Sequence, residues 1–151
     1  MDVDRVRTIA SAVRAAIASC APADLPWPTF PRGACGDTSL LLGQVLHDAG
    51  ISGFEYICGN RYGAERSSSH AWLSDGEWIV DITADQFPDV AEQVIVSRDS
   101  LWHKTWEHDR PTPGTLTAYG ADVPQLWRLL SHLRPRLAPG GPGTTGSQTS
   151  S

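Results

Sequence analysis

The sequence predicts a chain of mixed helix and sheet, helices first and a run of strands after them. Three stretches carry that expectation. Residues 3–18 repeat apolar side chains at helical spacing, residues 35–50 do the same up to a glycine, and residues 70–82 read as two strands around an Asp-Gly turn. With 151 residues, 40% apolar and 19% charged, the chain is long enough for one domain with a real core and too apolar to stay unfolded.

In the first helix Val3, Val6, Ile9, Ala10, Val13 and Ile17 form the buried stripe. "APADLPWPTFPRG" follows with four prolines, which excludes helix and central strand; it reads as an extended segment laying Trp27 and Phe30 on the core. "CGDTSLLLGQVLHDAG" is the second helix, with Asp37, Thr38 or Ser39 available to cap it, a stripe of Leu41, Leu42, Val45, Leu46 and Ala49, and Gly50 to stop it. Strands are expected at "GFEYICG", at 67–74 and 77–83, and at "QVIVS", with polar "RYGAERSSS" as a connecting loop. Trp102 and Trp106, four apart, suit a helical turn that "RPTPG" ends, and "DVPQLWRLLSHLR" is a short last helix. The domain is expected to span 1–134, and the Pro/Gly/Ser/Thr-rich stretch 135–151 reads as a disordered tail.

A net charge of −5 argues against a nucleic-acid partner, although Arg128, Arg134 and Arg136 gather near the end. No apolar run reaches the roughly 20 residues that span a bilayer, so no membrane partner is expected. The start "MDVDRVRTIASAV" lacks the basic and apolar regions of a signal peptide. Cys20, Cys35 and Cys58 are an odd set with no C-x-x-C pair, which favours a reducing cytoplasm over a disulfide framework.

The hairpin poses a chemical question, because it begins on His70 and ends near Asp81. A two-residue Asp75-Gly76 loop of type I′ would set Ser74 against Glu77, Trp72 against Ile79 and His70 against Asp81. Directly opposed residues share a face, so the imidazole and the carboxylate can bond. The carboxylate then fixes the tautomer and leaves the other ring nitrogen free as a base. Cys35 is the best group for that base to serve, since the start of a helix stabilises a thiolate. Taken singly, a cysteine at a helix start is more often a small packed residue, and a cross-strand His–Asp pair more often a structural bond. Together they form a catalytic set.

Zinc is the chemical rival: Cys35, His70 and Asp81 could be ligands, with Cys58 as a fourth. No pair has the short spacing of zinc sites, Asp81 is better used holding His70, and His103 and His108 do not share a helix face cleanly. No metal and no cofactor is expected.

With these residues in view, the chain resembles the transglutaminase-like cysteine-hydrolase superfamily. "RGACGDTSLLLGQVLHDAGISGFEYICG" resembles its nucleophile block and "HAWLSDGEWIVDIT" its His-Ala-Trp block, the two lying in family order within residues 32–83. The short bacterial branch, including leader-peptide proteases of lasso-peptide biosynthesis, is the more similar in size. The resemblance implies a papain/transglutaminase-like α+β fold, with the cysteine helix packed on an antiparallel sheet. Cys35 then corresponds to the nucleophile, His70 to the general base and acid, and Asp81 to the residue orienting it. Ile82 stands where many members have proline. The implied chemistry is acyl transfer from a peptide or glutamine-type amide through a thioester. The partner would be a peptide or protein substrate, with a delivery protein possible. The Cys35 N–H could be one oxyanion donor; Asp85 and Gln86 follow closely, and Trp27 or Trp72 could wall the cleft. The other class of reading is a non-catalytic module that keeps the fold and holds a peptide or protein in the groove. Such a module would be expected to have lost a member of the triad, and all three positions are occupied.

Overall fold

A computed structural model describes residues 1–137. Helix α1 (Val3–Ala18) starts on Asp2, whose side chain accepts the Arg5 N–H, and α2 (Cys35–Asp48) follows the proline-rich stretch. Strands β1 (Glu55–Tyr62), β2 (Ser67–Ser74), β3 (Ile79–Asp81) and β4 (Ile95–Ser97) come next. A single helical turn, α3 (Leu101–Lys104), leads to the short strands β5 (Glu107–His108) and β6 (Thr112–Pro113), and α4 (Pro124–Leu137) closes the order. The fold is α+β, with a six-stranded antiparallel sheet in the order β4-β3-β2-β1-β5 and β6 also paired to β1. No helix among the described residues is long and apolar enough to cross a membrane.

The expected elements form, with differences at their ends. Gly50, at φ +84°, ends α2 in a Schellman arrangement: its N–H reaches the His47 carbonyl and the Ile51 N–H reaches Leu46. The cap of α2 differs from expectation. Ala34 holds the cap position without a side-chain bond, and the Thr38 and Ser39 hydroxyls turn back to the Ala34 and Cys35 carbonyls. The stretch "RYGAERSSS" is mostly strand rather than loop, since Arg61 pairs with Ser68 and Tyr62 with Ser67. Polar residues join a ladder readily where the backbone bonds and the side chains stay in water. The last helix runs three residues beyond Arg134, because Leu137 continues the stripe of Leu126, Leu130 and Leu133 onto the core. Pro135 therefore belongs to the helix and not to a tail; residues 138–151 lie outside the described residues.

The sheet has two unlike faces. Leu73, Val80 and Val96 point to the side where α1, α2 and α4 pack, and with Val6, Ile17, Leu41, Leu46 and Leu130 they make the main core. Trp27 joins that core and Phe30 packs on its edge, as expected, but the proline-rich segment is not extended: it forms a 3-10 turn at Pro22–Asp24 and further turns up to Ala34, because proline's fixed φ suits turns as well as extended chain. On the opposite face Ile57 and Trp72 meet Trp106, flanked by Ile79, Phe87 and Trp102. Gly59 allows this closeness: a Cβ there would lie 2.6 Å from the Trp72 ring and 2.7 Å from Trp106.

Candidate active site

The β2–β3 hairpin is where the local sequence decides the geometry, and its register differs from the expected one. Leu73 faces Val80 and Ser74 faces Ile79, so the two-residue loop is Gly76-Glu77 rather than Asp75-Gly76. Asp75 explains the shift. Its Oδ1 accepts the N–H groups of Glu77 at 2.9 Å and Trp78 at 2.6 Å, which places Asp75 before the loop. Gly76 alone takes a positive φ, +95°, whereas a type I′ loop needs one at both central residues. Moving the loop by one residue moves each pairing by two, and an even slip preserves the face of every side chain. Asp81 thus falls across from Trp72, with His70 on the diagonal of the same face, within reach of a long side chain.

The expected bond forms on that diagonal. His70 Nε2 lies 2.6 Å from Asp81 Oδ2, with both side chains fully buried, and the Thr83 N–H donates to Asp81 Oδ1 at 2.9 Å. With Nε2 committed to the carboxylate, Nδ1 is the nitrogen left for chemistry, and the Cys35 thiol bonds to this ring. Cys35 opens α2 and also accepts the backbone N–H of Ala71. That N–H is free for the sulfur because the β2–β3 ladder stops at Leu73 and Val80. Cys35, His70 and Asp81 are therefore brought together from a helix start and two strands.

The electrostatics follow the geometry. Burial pushes the Cys35 thiol up, but the bond from His70, its charge and the Ala71 N–H outweigh burial, and the thiol titrates below its ordinary value. Burial pulls His70 down, while the bonds to Asp81 and Cys35 more than compensate and raise it to about 9. Asp81 is held at about 2, burial being outweighed by the bonds from His103 and His70. The other two cysteines move the opposite way. Burial raises Cys20, and burial with the nearby Asp109 carboxylate raises Cys58.

His103 is the residue that sequence reasoning missed. Its Nε2 lies 2.7 Å from the same Asp81 Oδ2, its Nδ1 bonds the Ser100 hydroxyl, and it is fully buried. The only sequence signal was Ser100, which also caps α3 by accepting the His103 N–H. His70, Asp81 and His103 offer ligand atoms close enough to suggest a metal. Two ligands of one zinc, each at 2.0–2.2 Å, lie roughly 3.3 Å apart in a tetrahedron. Separations of 2.6 and 2.7 Å are those of direct hydrogen bonds, so the three groups bond one another. Cys58 joins no such group.

The neighbouring residues take other roles than a cleft wall. Trp72 is buried beneath the site, its ring 5.7 Å from His70 and 4.7 Å from His103. Phe87 and Trp102 close on His70 edge-on at 5.2 and 5.6 Å. Trp27 donates to Asp37 in the first turn of α2 at 2.9 Å. Asp85 forms a bidentate pair with Arg14 at 2.7 and 2.9 Å, and Arg14 also donates to the Ile82 carbonyl, which ties the segment after Asp81 to α1. Gln86 Nε2 donates to the Thr83 carbonyl at 3.1 Å and lies 3.4 Å from His70 Nδ1. The site can thus hold a thiolate beside an imidazolium, with that imidazolium anchored by a dry carboxylate. Comparison of the chain with protein-family models, curated proteins and solved structures finds no match.

Proposed function

We propose that this protein is a cysteine-nucleophile amide hydrolase or acyltransferase with a papain/transglutaminase-like arrangement. The observation that carries this reading is the contrast among the three cysteines: Cys35 alone is lowered, and Cys35 alone touches a histidine whose far nitrogen is bonded to a buried carboxylate. A groove that only held a partner would have no use for such a thiol.

In the proposed reaction the Cys35 thiolate attacks the carbonyl carbon of an amide, and the C=O π pair moves to oxygen. Collapse of the tetrahedral species expels the amine, which takes the proton from His70 Nδ1 and leaves a thioester on Cys35. His70, now neutral, removes a proton from water or from a second amine as that acceptor bonds to the thioester carbon. Collapse breaks the C–S bond and returns the Cys35 thiolate beside protonated His70, water giving hydrolysis and an amine transamidation. Asp81 keeps the Nε2 proton facing it throughout and stabilises the imidazolium. The substrate is expected to be a peptide or protein amide.

Alkylation by iodoacetamide across pH tests the reading. Wild-type Cys35 should be labelled with a midpoint below the ordinary thiol value of 9.0, and His70→Ala should move the midpoint upward, since it removes the group that favours the thiolate. An unchanged midpoint in His70→Ala would sink the ion pair. A broad amide-substrate screen with Cys35→Ala as the control then finds the acyl donor.

A further inference from the structure

The tetrahedral intermediate needs hydrogen-bond donors at its oxygen, and the start of α2 leaves one exposed. Asp2 caps α1 and Ser100 caps α3, but no side chain caps α2. The Cys35 N–H is one of the first-turn amides without a helical partner. A second donor comes from the sheet. Tyr56, on β1, pairs with Leu73 and Thr112 and sends its hydroxyl over the first turn of α2. Its Oη lies 3.0 Å from where a Cβ on Gly36 would sit, one residue from the nucleophile. Glycine in a helix is about 1 kcal/mol worse than alanine, and here it leaves room for that hydroxyl.

We propose that the Tyr56 hydroxyl is the second oxyanion donor, acting with the Cys35 backbone N–H; this rests on Cys35 being the acylated nucleophile. The hydroxyl has no hydrogen-bond partner among the described residues, whereas the Tyr119 hydroxyl donates to the Pro113 carbonyl at 3.0 Å. Burial, followed by the proximity of Cys35, pushes Tyr56 up to about 12, so it remains an O–H donor at any working pH. Gln86 is the competing donor, but its Nε2 is bonded to the Thr83 carbonyl and otherwise faces His70 Nδ1 at 3.4 Å. As sulfur bonds to carbon, the oxygen takes the π pair and accepts from both donors; Tyr56 keeps its proton, and the C=O re-forms when the amine leaves.

Two reagents isolate this role. Acylation by p-nitrophenyl acetate passes through an oxyanion, whereas alkylation by iodoacetamide displaces iodide at a saturated carbon and forms none. Tyr56→Phe should slow the p-nitrophenolate burst roughly ten- to a hundredfold and leave the alkylation rate and its pH profile unchanged. Gly36→Ala keeps the hydroxyl but pushes it aside, and should give a smaller loss confined to acylation. A normal burst in both variants overturns the role of Tyr56 alone. Absence of any burst in the wild type overturns the nucleophile reading, and this proposal with it.

Discussion

The two faces of the sheet contain the same strands and do opposite work. Toward the helices, Leu73, Val80 and Val96 join the larger of the two apolar clusters, with Val6, Ile17, Leu41, Leu46 and Leu130. On the other face, one residue away along the same strands, Asp81 and His70 sit in a small aromatic cluster with His103. Alternation in a strand makes this possible, because neighbouring residues point to opposite sides. A polar network in a dry setting is strengthened when every member is bonded, and here Asp81 receives three donors. Arg61 stacks over Trp106 at 4.0 Å and donates to Thr105, covering the outer side of the aromatic cluster. The aliphatic core and the His70–Asp81–His103 network thus lie on opposite faces of one sheet, and Cys35, at the start of α2 on the helical side, joins them through its bonds to His70 and the Ala71 N–H.

The largest effect is expected at Cys35. Cys35→Ala should abolish acyl transfer with the melting temperature nearly unchanged, and Cys35→Ser should do the same, since a hydroxyl is a far weaker nucleophile in a site built for a thiol. Activity retained in Cys35→Ala, read with any amide found by the screen, would end the covalent mechanism.

Asp81→Asn comes next and should damage both properties. An amide must set its N–H₂ or its oxygen against two imidazole donors and one backbone donor, so it cannot satisfy all three. Turnover is expected to fall by about 10⁴, as for a lost orienting carboxylate. Stability should fall by about 3 kcal/mol at neutral pH, because buried donors lose their acceptor. The sign of the pH effect is fixed. Asp81 is lowered from 3.8 to about 2, so its contribution is present above 3.8 and fades as pH falls through 2. Urea unfolding at falling pH should show wild type and Asp81→Asn converging; a constant gap would mean that the carboxylate is not held by its partners.

The helical face gives the converse result. Leu130→Ala, fully buried in the main core, should lower stability by about 2–5 kcal/mol while the iodoacetamide profile stays put. A shifted profile would show that the two faces are coupled. Asp85→Asn sharpens the same point: its pair with Arg14 is structural, so it should lower the melting temperature more than the alkylation rate.

The smallest effect is expected at the end of α4. Truncation after Arg134 removes the half-buried Leu137 and the Arg136 bond to Ser19, and should lower stability by about 1 kcal/mol with activity intact. A melting temperature identical to the full chain would show that this last turn adds nothing.

Much of this is legible in the sequence, and the reason is range. The stripes of α1 and α2, the glycine that ends α2 and the Asp-Gly turn of the hairpin are signals within a few residues, so composition and spacing specify them. Those signals sufficed to bring His70 and Asp81 to one face and to single out Cys35 at a helix start. The pairing within the hairpin was two residues off because Asp75 could serve inside the turn or before it, and the parity survived because the slip was even. The role of Tyr56 and the pairing of Asp85 with Arg14 were not legible at all, and Ser100 was the one hint of His103. Each lies 20 residues or more in sequence from the group it serves, and its partner depends on how the helices and strands pack. Local periodicity and turn chemistry were enough for the main helices, the central strands and the face that His70 and Asp81 share. Only the tertiary structure decided which side chains complete the site, because contacts between distant segments depend on packing that no local pattern encodes.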